Sequence, residues 1–347
     1  MHPIGTPSPA DVLAMTVVYV PHLRGYFSNR LAVVRLSLES LIRHKPPDTR
    51  LLVYDNGSCD EVRSLLEGWV ECGEIDYVLR SRTNIGTPAA IHMVFRLGLR
   101  PVIAYGDDDV FFSSGWLEPL LEILGRFPMA GMASGVPTLD GADHSIAATL
   151  EAARADPLVH VDSKARIPEA WEEDWALSTG RDPVERAVQA RATPVPRIES
   201  NGMCCFVGAT HFQYVGWADR LAACLPVAWP TSLMGNMRDL DAAMDRQGYL
   251  RLSTADRLVR HMGNAIPDSL SREAAAIGLE VPPPHAPPRL TWLEKRLQRI
   301  RRVRSKVWVT YRHIGRLLDG EAILSDAFVQ AQDPGERRPV RGGTGKP

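Results

Sequence analysis

The sequence has no apolar run approaching the length of a membrane-spanning helix, and its first residues form no basic-then-apolar leader. A spanning or secreted chain is therefore not expected. Cysteine is sparse. The five residues (Cys59, Cys72, Cys204, Cys205 and Cys224) are odd in number and lack metal-ligand spacing, which argues against a disulfide framework and for a reducing cytoplasm. Neither charge sign is in excess, the formal net charge being -1. No stretch carries base-stacking aromatics or groove-reading motifs, so nucleic acid is not an expected partner. Internal repeats are absent. What remains is a chain of 347 residues, 45% apolar, long enough for one large domain with appendages.

Over the first hundred or so residues the apolar pattern alternates between strand and helix. Thr16–Val20 reads as an opening strand closed by Pro21, and Leu31, Val34, Leu38, Leu41 and Ile42 recur at helical spacing after it. Leu51–Tyr54 is a second strand with Asp55-Asn56-Gly57-Ser58 as its turn, and Ile75–Leu79 a third. Asn84-Ile85-Gly86 turns the chain before Thr87 and Pro88, read as N-cap and first helical residue. Strands interleaved with helices imply βαβ units and a mostly parallel sheet.

The chemistry is concentrated where Val102-Ile103-Ala104-Tyr105-Gly106 runs into Asp107-Asp108-Asp109. A short apolar run reads as a buried strand, and its carboxyl end is where open α/β sheets bind ligands. Asp107 and Asp109 are two apart. If the alternation persists they share a side and can converge on one divalent cation, Mn2+ or Mg2+, which completes its shell with phosphate oxygens and water. Asp108 then points into neighbouring structure, though it is counted with the donor-binding run.

Residues 16 to about 265 resemble a family 2 glycosyltransferase of the GT-A fold, a nucleotide-sugar-dependent class. The resemblance rests on ordered pieces: Asn29-Arg30 leading to Ser40-Leu41, Val53-Tyr54-Asp55-Asn56-Gly57-Ser58, Asn84-Ile85-Gly86, Gly106-Asp107-Asp108-Asp109-Val110 and Gly115-Trp116-Leu117. Arg238-Asp239-Leu240-Asp241 and His261-Met262-Gly263-Asn264 complete it. It implies a Rossmann-like α/β/α sandwich with a mostly parallel central sheet. It also implies a donor of UDP or GDP type, a glycan or other hydroxyl acceptor, and a place in glycan or glycoconjugate synthesis. Asp109 would be the main metal ligand, Asp107 would approach the ribose or the metal through water, and Asp55 would accept from a nucleobase imide. Asn84 and Gly86 would shape the nucleotide-side turn.

The resemblance also places Asp239 as general base of an inverting displacement, at a helix N-terminus where an anion is favoured. The family presents a Glu-Asp pair there; Arg238 in place of the Glu is a departure. Arg238 would pair with Asp239 or contact an acidic acceptor or phosphate. His261 would add a ligand to the metal or a contact to the diphosphate, and an imidazole tilts preference from Mg2+ toward Mn2+. Asn201, before an apolar strand at Met203–Val207, is a candidate acceptor contact.

Residues 137–200 are polar, charged and proline-rich, too long for a simple connector, and read as functional or partly mobile. Within them Trp171 and Trp175, four apart, are either an acceptor platform or a packed helix face. The Pro-rich stretch 281–289 reads as a stiff linker. Beyond it a basic amphipathic helical extension (290–331) is expected, whose portion 290–318, with Trp292 and Trp308, would touch a membrane surface, the catalytic domain or a partner protomer. Residues 332–347 read as a disordered tail. The expected layout is an N-terminal tail (1–15) and a GT-A domain (16–280), split near 135 into a nucleotide-binding and an acceptor half. Two alternatives stay open: a sugar-1-phosphate nucleotidyltransferase, although Pro21–Gly25 lacks that class's Gly-rich, Arg-containing loop, and an inactive glycan-binding protein. The expected place is the cytoplasm, with peripheral attachment to the cytoplasmic membrane face as an option.

Overall fold

The computed structural model describes residues 5–225 and 237–281. The chain separates by contacts into Met1–Pro287 and Pro288–Pro347, and every described residue lies in the first unit. The basic extension and tail, and all of the linker except Val281, fall outside the described residues, as does the segment 226–236.

The described chain is a mixed α/β fold. In spatial order, ten strands form one sheet: Tyr77–Arg80, Arg50–Asp55, Val12–Val18, Val102–Gly106, Gln213–Trp217, Ala130–Ser134, Leu250–Thr254, Met203–Val207, Arg197–Ser200 and His160–Asp162. The first four of these pair in parallel. Gln213–Trp217 runs against both its neighbours, so Ala130–Ser134 restores the original direction and Leu250–Thr254 continues it. Among the ten, only Gln213–Trp217, Met203–Val207 and His160–Asp162 oppose the common direction, which is the mostly parallel sheet expected.

The opening strand starts at Val12 rather than Thr16. All seven of its residues are buried between helices on the two faces, as a central parallel strand requires. Its fourth residue sits opposite both Leu52 and Tyr105, so it is hydrogen-bonded on both sides. Helix Thr87–Arg96 is capped by Gly86, one residue before the expected Thr87, because Gly86 takes a φ of 85° and its N–H is satisfied by Asn84 Oδ1 at 2.8 Å. From Val12–Val18 the chain steps outward to Arg50–Asp55 and Tyr77–Arg80, then returns to the other side at Val102–Gly106. The order therefore reverses between Val18 and Gly106. That crevice at the strands' carboxyl ends is where such sheets bind ligands.

The polar stretch 137–200 is largely folded. It contains helices Leu139–Ala142, Ala147–Ala155, Glu169–Thr179 and Pro183–Ala192, besides the edge strand His160–Asp162 and its neighbour Arg197–Ser200. Its charges are used inward. Glu172, fully buried, accepts from the Leu139 amide at 2.7 Å and from Arg186 Nε, while Arg186 Nη2 reaches Asp140 at 2.9 Å. Burial raises the Glu172 carboxyl and the Arg186 guanidinium opposes that rise. An unpartnered charge there would cost several kcal/mol, so the network fixes how these helices sit.

Candidate active site

The acidic run follows the last residue of Val102–Gly106, and its backbone is pinned on both sides: the Asp107 amide donates to Phe212 O at 2.7 Å and the Met262 amide to Asp109 O at 2.7 Å. The second of these belongs to a small ladder. Val110–Phe112 pairs antiparallel with Val259–His261, with His261 opposite Val110. That pairing brings His261 Nε2 to 3.4 Å from Asp109 Oδ1. On its other side the imidazole Nδ1 lies 2.8 Å from Ser178 Oγ, which fixes the ring's orientation.

The ring is boxed by aromatics. Trp175 and Phe212 stack on each other with centroids 4.9 Å apart, and each meets His261 edge-on, at 4.9 Å and 5.2 Å. Trp175 Nε1 donates to Asp140 Oδ2 at 2.9 Å, so this tryptophan is a packed wall behind His261. Trp171 lies against the Leu139, Ile167 and Val195 cluster with the Arg257 guanidinium 5.8 Å from its ring. Of the two readings for the pair, packing is what the structure contains. Gly263, next but one to His261, has φ 69°, and a Cβ there would lie 2.1 Å from Ser178 O. The turn that carries His261 past Ser178 therefore needs glycine.

The three carboxylates differ. Asp108 turns inward, 9% exposed, to Arg30 and to the Tyr19 amide at 3.4 Å. Arg30 Nη1 also reaches Asp109 Oδ2 at 3.1 Å and Gly263 O at 3.0 Å. Burial works against the charge on Arg30, but Asp108 and Asp109 outweigh it and hold it protonated. Asp107 accepts from the Tyr105 hydroxyl, and burial together with the charge of Asp109 pushes its carboxyl well above the usual range. Three carboxylates stand against one buried guanidinium. Burial, Asp109 and Asp108 all disfavour a charge on Asp107, an opposition that a divalent cation would relieve.

The nucleotide-side residues form a second network. Asn84 Oδ1 accepts from Asn56 Nδ2 at 2.9 Å as well as from Gly86, and Asn56 Oδ1 accepts from the Ile85 amide at 2.9 Å. Asn84 and Gly86 thus shape this turn. Asp55 is fully buried: Oδ1 accepts from the Ser58 amide at 2.8 Å, and Oδ2 lies 3.0 Å from Arg80 Nε. The same carboxylate builds the turn and anchors an arginine at the rim.

On the acceptor side, helix Arg238–Arg246 begins one residue before Asp239, which lies exposed in its first turn. Arg238 Nη2 pairs with Asp143 Oδ2 at 3.0 Å. Asp241 faces inward and is met by His144, His211 and Arg251. Asn201 and Gly202, with φ 50° and 80°, are the central pair of a two-residue hairpin whose flanking Ser200 and Met203 are paired. Backbone geometry accounts for that Asn-Gly, and its strand is four strands removed from Val102–Gly106.

Arg30, Ser178 and the His144–His211–Asp241 group were not picked out as site residues from sequence. Arg30, as half of the Asn29-Arg30 pair, and Asp241, in Arg238-Asp239-Leu240-Asp241, carried a signal.

Residues 27–152 match the model of the family described as Glycosyl transferase family 2. No curated protein matches the chain. Among solved structures, GalNAc-T7 with UDP, GalNAc and Mn2+ is similar at 11% identity and a TM-score of 0.44, covering 72% of this chain and 43% of that one. S. aureus TarS 1-349 is similar at 12% identity and 0.40, covering 73% and 60%. S. aureus TarS 1-349 in complex with UDP-GlcNAc is similar at 14% and 0.30, covering 36% and 33%. The chain therefore spans less than two thirds of the length of each. The matched segment, residues 27–152, runs from the loop before Arg30 through the acidic rim.

Proposed function

We propose that this protein is a glycosyltransferase that moves a sugar from a nucleoside diphosphate sugar of UDP or GDP type to a hydroxyl acceptor, with inversion. The observation that carries the reading is the Asp109–His261 pair at the sheet's switch point, with Asp109 inside the family 2 segment.

The chemistry of the donor set suits a divalent cation: the carboxyl groups of Asp107 and Asp109 and the imidazole of His261. The imidazole favours Mn2+ over Mg2+. When bound, such an ion supplies a Lewis acid that neutralises charge on the diphosphate as it leaves. The chain's own residues do the rest. Arg30 pairs with Asp108 and Asp109 and fixes their direction. The Asp55–Arg80 pair and the Asn84–Gly86 turn receive the nucleoside. Asp239 takes the proton of the acceptor hydroxyl as its oxygen bonds to the sugar carbon, from the face opposite the breaking carbon–oxygen bond, and the bonding pair leaves on the diphosphate. Arg238, next to the base and already paired with Asp143, and Asn201 are read as acceptor contacts.

In this reading residues 16–280 are the catalytic domain and 290–318 a surface contact with membrane or a second copy. No described helix is long and apolar enough to cross a membrane.

A thermal-shift screen of UDP and GDP, each with and without Mn2+, tests the assignment. One nucleotide at about a hundredfold over its Kd should stabilise the protein by about 2.7 kcal/mol, raising Tm by roughly 5 °C or more, and only with Mn2+ present. No stabilisation by any combination would overturn it.

A further inference from the structure

Outside the donor rim, three side chains converge on one point. His144 Nε2 lies 2.8 Å from Asp241 Oδ2, and His211 Nε2 contacts the same oxygen. All three ligand-capable atoms lie within 4.8 Å of one another. They come from three separate segments: the loop after Leu139–Ala142, the turn 208–212 and the first turn of helix Arg238–Arg246.

As hydrogen bonding alone, this is a poor arrangement. Two imidazoles crowd one oxygen of a fully buried carboxylate, while its other oxygen, Oδ1, is buried without a hydrogen-bond partner. His144 sharpens the point, because its Nδ1 faces Asp143 Oδ1 while its Nε2 faces Asp241. A neutral imidazole has one N–H and cannot donate to both. A positive charge must sit between His144 and Asp241: a second proton, or a cation in its place.

We propose that His144, His211 and Asp241 form a second metal site, separate from the donor rim, selective for a zinc-class transition cation. Two imidazole nitrogens with one carboxylate is a donor set suited to Zn2+, Co2+ or Fe2+ rather than Mg2+ or Ca2+. Bonds of about 2.0–2.1 Å in tetrahedral geometry separate ligand atoms by roughly 3.3 Å, so the 2.8 Å His144–Asp241 gap needs to open by only about 0.5 Å. Asp143, itself paired with Arg238, orients the His144 ring as a carboxylate behind a metal-bound imidazole does. Arg251 Nη2, 2.9 Å from Asp241 Oδ2, is held by Ala209 O at 2.7 Å, and its Nη1 by His144 O at 3.0 Å and Ser145 O at 3.2 Å. It closes the inner side and, being cationic, limits affinity. Entry is from the outer side, where the side chains of His144 and His211 are 17% and 29% exposed and that of Asp241 is 0%. A bound ion would tie the helix turn carrying Asp239 to the two loops. That consequence alone rests on the proposed function; the binding does not.

The test is a Co2+ titration of the metal-stripped full-length protein, followed by visible d–d absorption. The wild type and Asp109→Ala should develop the same bands at a stoichiometric ion, and Zn2+ should bleach them. His144→Ala and His211→Gln should lose the bands and bind Co2+ at least about a hundredfold more weakly. In the wild type, Co2+-shifted proton resonances from two imidazole rings should identify the ligands without any variant. Absence of bands in the wild type, bands retained by both histidine variants, or bands lost in Asp109→Ala alone would overturn the proposal; the first would assign the charge to a proton.

Discussion

Asp109→Ala should lose the Mn2+-dependent nucleotide stabilisation altogether and reduce sugar transfer on the order of 10³-fold, while the fold survives. The magnitude follows from what is removed. A single preorganised charge-stabilising group is worth about 10²–10³ in rate, and this residue would contribute to holding the charge that meets the departing diphosphate. Survival of the fold follows from geometry. Asp109 reaches outward to His261 and shares Arg30 with Asp108, so Arg30 keeps Asp108 and Gly263 O as partners when Asp109 is truncated. The backbone bond from Met262 to Asp109 O does not depend on the side chain. Melting curves with and without UDP, GDP and Mn2+, beside a transfer assay, check both halves. A nucleotide shift that still required Mn2+ in the variant would move the cation elsewhere.

Asp239→Asn should separate chemistry from donor binding. A general base contributes about 10²–10⁴ to rate, so turnover should fall by that factor while the nucleotide-induced shift in Tm stays within about 1 °C of wild type. The residue is exposed in the first turn of its helix, and the inward anchor of that turn is Asp241, so the amide should cost little stability. Arg238, beside it, is paired to Asp143 at 3.0 Å and, being a cation, supplies no second base. A variant that kept wild-type turnover would remove Asp239 from the mechanism and direct attention to another base.

How far the sequence could carry this depended on whether a signal was local. The acidic rim was legible because an apolar run ending in carboxylates is a contiguous pattern, and strand burial with a ligand-bearing carboxyl end follows from it. The parallel half of the sheet was legible from alternating periods. The turn residues Asn84 and Gly86 were readable for the same reason: their hydrogen bonds close within a few residues or to Asn56 in the adjacent turn.

Distant pairings were not readable. Asp109 meets His261 only because Val110–Phe112 pairs with Val259–His261, and neither strand is longer than three residues. The resemblance, not the pattern, named His261. His144, His211 and Asp241 have no helical or hairpin spacing, and their convergence depends on how the polar segment folds over the sheet. That segment read as functional or partly mobile because it is long, polar and proline-rich. Glu172, Arg186 and Asp140 are spent on one another instead. Asn201 shows the converse: its local Asn-Gly signal is also that of the hairpin turn it forms, and its sequence pattern carried no information on distance from the rim.

The central claim is that the acidic rim and His261 together hold a cation against a nucleoside diphosphate. The direct measurement is an anomalous difference map, at the manganese edge, from crystals of the full-length protein grown with Mn2+ and the nucleotide selected by thermal shift. The expected result is a peak bonded to Asp109 and His261, with Asp107 beside it and diphosphate oxygens completing the shell. Nucleotide bound with no peak at Asp109, or a manganese peak confined to the His144–His211–Asp241 group, would contradict it.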